Sequence, residues 1–189
     1  MDSVVRQAKA LGTYFFIFSG GEPLARKKDV ITLCERHPDC AFLSFTNGTL
    51  IDDAFADEML RVKNFVPAIS VEGFEQATDA RRGEGTYRKV VEAMERLKRK
   101  KLAFGVSCCY TSQNAQVIGS DAYFDEMVRL GAKFMRCNSA LAAARTFSAF
   151  PVCLSSESRL IWFLQRLAHA SRDEATPRHD LTLPERVTN

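Results

Sequence analysis

The chain has 189 residues, of which 46% are hydrophobic and 26% charged, and its formal net charge is +3. That balance fits one globular domain large enough to bury a core and excludes collagen-like, low-complexity and wholly disordered classes. No apolar run approaches the roughly 18 residues of a membrane helix, and so small a charge makes no electrostatic case for nucleic acid.

The elements read as alternating helices and strands. Val4, Val5, Ala8 and Leu11 recur at helical spacing, so residues 2–11 are expected to be a helix stopped by Gly12. Tyr14–Phe18 is a continuous apolar run, which predicts a strand buried on both faces. Ser19-Gly20-Gly21-Glu22-Pro23 breaks it, and a helix follows from Leu24 to Arg36. Ala41–Phe45 predicts the next strand, closed by Thr46-Asn47-Gly48. Asp52 or Asp53 can cap a helix that runs to Val62.

Phe65–Val71 predicts a third strand despite Pro67. A polar stretch with Gly83 and Gly85 leads to a helix over Tyr87–Lys100, then a strand over Leu102–Cys109. Asp121–Leu130 predicts a helix, and Lys133–Arg136 begins a fifth strand. Strands alternating with helices across short connections imply parallel strands with right-handed crossovers. An open doubly wound sheet and a partial or full βα barrel both satisfy that pattern.

Composition changes near residue 136. All ten glycines lie between Gly12 and Gly131, and Glu157 is the one acidic residue between Arg136 and Ala170. The expected division is therefore a βα unit over 1–136 and a different tail over 137–189, with an amphipathic helix at 158–170. The six cysteines include no Cys-x-x-Cys pair, and the three histidines are scattered, so no local metal-ligand set is legible. Without the basic start of a signal peptide, reduced core thiols and a cytoplasmic location are expected.

Two places carry chemistry. Ser19-Gly20-Gly21-Glu22-Pro23 follows a strand, at the end where βα folds bind ligands. Paired glycines let a ligand approach the backbone, and Glu22 adds negative charge beside a cationic group; an ordinary βα turn is the plain alternative. Ser70 and Glu72 flank Val71, so a regular strand points them to one face. Arg81 and Arg82 follow, expected in a loop, where an arginine can fork onto a carboxylate or simply be solvated. Tyr110, Thr111 and Asn114 lie at the same rim, with structural roles at least as well favoured.

These motifs resemble, in order, those of the radical S-adenosylmethionine (radical SAM) family. Ser19 to Leu24 resembles its GGEP motif, and Phe45 to Ile51 its next strand and turn. Ala68-Ile69-Ser70-Val71-Glu72-Gly73 resembles its S-[IVL]-[DE]-G strand, and Asp79 to Tyr87 and Leu102 to Asn114 resemble the two segments that follow. The resemblance implies an incomplete (βα)6 partial barrel with outer helices. It also implies S-adenosylmethionine and a [4Fe-4S] cluster as cofactors, used for radical modification of a substrate not legible here. By similarity Gly20, Gly21 and Glu22 would meet the methionine amino group, Ser70 the ribose or carboxylate, and Arg82 the carboxylate. An apolar backbone contact to adenine falls near Val106.

The family's cluster is held by Cys-x3-Cys-x2-Cys ahead of GGEP. Only 18 residues precede Ser19 here and none is cysteine. The expectation is an incomplete radical SAM core that lacks its cluster ligands and is inactive alone; a cluster-free S-adenosylmethionine-binding domain and a non-catalytic fragment are the alternatives. Neither nucleic acid nor membrane is an expected partner.

Overall fold

The structure, a computed structural model, describes residues 1–139 and 152–153. Helix α1 (Asp2–Ala10) leads into strand β1 (Phe15–Phe18), and a 3-10 turn (Pro23–Arg26) opens α2 (Lys27–Arg36). Then come β2 (Ala41–Thr46), α3 (Asp53–Val62), β3 (Phe65–Ser70), α4 (Glu75–Arg82) and α5 (Thr86–Arg99). The chain continues as β4 (Gly105–Tyr110), a short α6 (Ala115–Ile118), α7 (Asp121–Leu130), β5 (Phe134–Ser139) and β6 (Val152–Cys153). The strands form one sheet in chain order; β1 to β5 run parallel, and β6 pairs antiparallel to β5.

The alternation of strand side chains separates two faces. On the helix-covered face Ile69, Val106 and Met135 stand side by side in register, none more than 1% exposed. They pack in the same buried cluster as Met59, Met94, Leu97 and Met127 from the outer helices. The opposite face is concave. Phe45, Ala68 and Gly105 are successive partners along it, yet the Arg136 guanidinium of β5 lies 4.7 Å from the Phe45 ring centroid of β2. Two strands separate β2 from β5, so only a curled sheet brings these side chains together. Small residues make room for them: a Cβ at Gly105 would sit 2.3 Å from the Phe134 ring. This is the incomplete βα barrel that the motif order implied.

Four expectations change in detail. The first concerns β1, which is the edge of the described sheet rather than a strand buried on both faces. Phe16 and Phe18 stack on Phe42, with centroids 5.5 and 5.6 Å apart, whereas Phe15 and Ile17 are 54% and 45% exposed. β1 pairs with β2 alone among the described residues, so its concave-side groups gain no cover from a second neighbour.

Second, the stretch that includes Arg81 and Arg82 is a helix, α4, not a loop. Its sequence has no apolar periodicity; it is anchored by the buried Thr78 hydroxyl, which accepts from Glu72 N (3.2 Å) and donates to the Gly73 carbonyl (3.1 Å). Third, α2 begins as the 3-10 turn, with Pro23 at its start and Leu24 N donating to Glu22 Oε1 at 2.9 Å. Fourth, β5 runs past Arg136 to Ser139 and β6 extends the sheet; the helix expected at 158–170 lies outside the described residues. Cys34, Cys40, Cys108 and Cys137 are buried and unbridged, as expected of core thiols, and burial pushes the Cys34 thiol up to about 12.

Asp52 is the cap of α3: its carboxylate accepts from Phe55 N at 2.8 Å and pairs with Lys27 Nζ at 2.6 Å. These bonds, the Lys27 one first, hold its carboxyl below the usual 3.8. A depressed folded value means that the contribution is complete above the unfolded value and fades as pH falls through the folded one. D52A is therefore expected to cost about 1 kcal/mol at neutral pH and progressively less as pH falls below the usual carboxylate value, read from urea midpoints. An unchanged midpoint at neutral pH would contradict the assignment.

Candidate functional site

The strand ends of β1 to β4 form a rim, and two carboxylates hold its loops in place. At the first, β1 gives way to Gly20 and Gly21, with φ of +91° and +28°. Left-handed backbone of this kind favours glycine. A Cβ at either position would meet nothing within 4 Å, so this backbone borders open space. The Glu22 side chain turns away from that space. Its Oε1 accepts from Leu24 N and from Thr46 Oγ1 (2.7 Å), and its Oε2 accepts from Asn47 N (2.7 Å). One carboxylate thus ties the loop after β1 to the loop after β2. Thr46-Asn47-Gly48 is itself a turn closed by Asn47 Oδ1, which accepts from Thr49 N at 2.9 Å.

The second carboxylate is Glu72, which has no exposed surface. Its Oε2 accepts from Cys109 N at 2.8 Å, its Oε1 receives the Arg82 Nη2 donor, and Arg81 Nε lies 3.7 Å from Oε1. Asn114 completes the joint: its Nδ2 donates to the carbonyls of Glu72 (3.0 Å) and Cys109 (3.2 Å), and its Oδ1 accepts from Thr111 N (2.6 Å). An ionised carboxylate withdrawn from water survives only when paired and hydrogen-bonded. Here two arginines face one carboxylate, so the cluster keeps one net positive charge. The Arg82 Nε is buried and has no hydrogen-bond partner.

Ser70 ends β3 half-buried, in register with Ser107, which is in register with Arg136. The structure therefore brings Ser70, Glu72 and Arg82 to one region of the rim, and Gly20, Gly21 and Glu22 to another. Arg82 is ion-paired within the protein, neither loop-borne nor simply solvated. Asn114, named at the rim in the sequence, takes the structural role favoured there, whereas Arg136 was not singled out. Asn114 had a signal in its place just past β4; Arg136 had none, because its role depends on the curl of the sheet.

Five parallel strands with outer helices define a partial βα barrel, a fold whose ligands sit at the carboxyl ends of its strands. The chain belongs to the radical SAM superfamily, whose family model matches residues 1–113. It is similar to a cysteine-type anaerobic sulfatase-maturating enzyme of Clostridium perfringens, 29% identical over 152 residues, which cover 72% of this chain and 41% of that enzyme. The chain thus spans about two fifths of the length of that relative. Among solved structures it resembles native anSMEcpe with bound AdoMet and the Kp18Cys peptide, at TM-score 0.55 and 27% identity, covering 66% of this chain and 37% of the other. Streptococcus suis SuiB bound to S-adenosylmethionine shares the fold, at TM-score 0.66 and 16% identity over 92% of this chain and 39% of SuiB.

The family implies S-adenosylmethionine and a [4Fe-4S] cluster. The rim fits the first: open glycine backbone, a hydroxyl and a cluster with net positive charge suit an amino acid's ammonium and carboxylate. The described residues do not fit the second, since no three His, Cys, Asp or Glu side chains among them are grouped to hold a metal ion. Also among the described residues, no helix is long and apolar enough to cross a membrane.

E72A strips acceptors from Cys109 N and Arg82, and is expected to lower stability by about 3 kcal/mol in chemical denaturation. A loss within about 0.5 kcal/mol, the scale of an ordinary surface change, would show that Glu72 does not hold the rim together.

Proposed function

We propose that this chain holds S-adenosylmethionine along the rim, as the cofactor-binding part of a radical SAM enzyme that modifies a peptide. The observation that carries the reading is the net positive charge at the end of the Ser70 strand, where Arg81 and Arg82 share the single carboxylate of Glu72. Arg82 takes the methionine carboxylate there, with the Ser70 hydroxyl beside it. A guanidinium already steadied by Glu72 loses less freedom when it engages a ligand. Gly20, Gly21 and Glu22 receive the ammonium through main-chain carbonyls, since the Glu22 carboxylate is committed to Leu24, Thr46 and Asn47. Its charge still lies behind that backbone and favours a cation. Val106 lies on the strand where an apolar backbone contact to adenine is proposed.

Bound S-adenosylmethionine would supply the family's hydrogen-abstracting radical chemistry. The described residues hold no ligand set for the [4Fe-4S] cluster, and the tasks assigned to this chain are binding, orientation and exclusion of water. A peptide is the proposed substrate class because a similar structure was solved with a peptide bound.

Calorimetry on the 189-residue chain tests the reading. S-adenosylmethionine is expected to bind, R82K to weaken it about tenfold by losing the guanidinium fork, and S70A to weaken it severalfold. Decarboxylated S-adenosylmethionine should bind both wild type and R82K with one weaker affinity. A folded chain that gives no heat of binding would overturn the proposal.

A further inference from the structure

Among the described residues, Arg136 is the one arginine carried by a strand. It points onto the concave face from β5, half-buried, with its guanidinium over the Phe45 ring. Its Nε is buried and has no hydrogen-bond partner. Among the described residues no side chain or carbonyl accepts a hydrogen bond from it, and no carboxylate pairs with it. Stacking on an aromatic face offsets part of the lost hydration but leaves the buried Nε–H donor unused. A buried donor left unpaired is costly unless something supplies an acceptor.

The surroundings narrow what that is. By register and contact, the concave face near Arg136 carries Phe45, Ala68, Phe134, Ser70 and Ser107. Among the described strand residues none is acidic, and Arg136 is the one cation. A phosphate dianion would call for more than one positive charge. A carboxylate monoanion on an apolar body matches a single guanidinium fork beside aromatic rings.

We propose that Arg136 is a carboxylate-binding residue of the concave face. The carboxylate has two sources, the substrate peptide or the methionine end of the cofactor. The proposal does not require the Arg82 assignment.

The test is arginine side-chain NMR on the nitrogen-15-labelled chain, with the Arg136 Nε–H peak identified by its loss in R136K. Titration with 3-phenylpropionate should shift that peak saturably; neutral 3-phenylpropanol should leave it in place. R136Q should bind 3-phenylpropionate about tenfold more weakly. If the shift persists under saturating S-adenosylmethionine, the carboxylate is the substrate's. If S-adenosylmethionine shifts the peak and blocks 3-phenylpropionate, while decarboxylated S-adenosylmethionine does neither, the carboxylate is the cofactor's. A peak that neither 3-phenylpropionate nor S-adenosylmethionine moves, or that the alcohol moves equally, would overturn the proposal. Should S-adenosylmethionine fail to bind, the 3-phenylpropionate arm still decides Arg136, and the cofactor reading alone fails. Should R136Q not fold, the wild-type titrations still decide it.

Discussion

A carboxylate with no surface in water must find its donors inside the protein, and Glu72 finds them on two separate segments. Cys109 comes from β4, Arg82 from the last turn of α4, and Asn114 from the loop beyond β4 binds the Glu72 carbonyl. Removing any of them leaves charge or a polar group unpaired in a place that water does not reach. That constraint fixes how α4 sits on the sheet, and through α4 it fixes where Arg82 is. Glu22 repeats the device at lower burial, joining the loops after β1 and β2. The rim is thus held by two acidic side chains whose bonds run between loops.

This arrangement divides labour among the residues proposed to face a ligand. The side chain of Glu22 is structural, and the glycines beside it leave backbone exposed to open space. Arg82 belongs to both roles, because one of its donors is spent on Glu72 and its Nε is not spent at all. Ser70, in register with Ser107 and then Arg136, links the rim to the concave floor. A ligand lying across that row would meet hydroxyls flanked by two separate cationic positions, with aromatic rings beneath. An amino-acid-bearing cofactor suits such a surface, and a peptide is the substrate class proposed for it.

The sequence made the repeating βα architecture legible because apolar strand runs and helical periodicity are local signals. The strands β2 and β3 and helices α3, α5 and α7 fall within a residue or two of their expected bounds. An aspartate cap, Asp52 or Asp53, was legible by type and position, and the structure assigns it to Asp52. Helix α4 was not legible, because Thr78, its one buried residue, anchors it through hydrogen bonds to residues just outside the helix. The exposure of Phe15 and Ile17 was not legible either: an apolar run looks the same in a central strand and at a sheet edge. Gly20, Gly21, Ser70 and Arg82 were singled out by motif, but that Glu22 and Glu72 spend their charges within the protein depends on partners 24 and 37 residues away. Arg136 depends on a contact that only curvature makes.

Amide hydrogen exchange at Asn47 and Cys109, whose N–H groups donate to Glu22 and Glu72, tests the claim that these two carboxylates organise the rim. The account predicts that both amides exchange as slowly as those of the central strands β3 and β4, opening only when the domain unfolds. Exchange at the rate of the exposed turn around Glu84 would contradict it, because the rim loops would then open independently of the sheet that carries them.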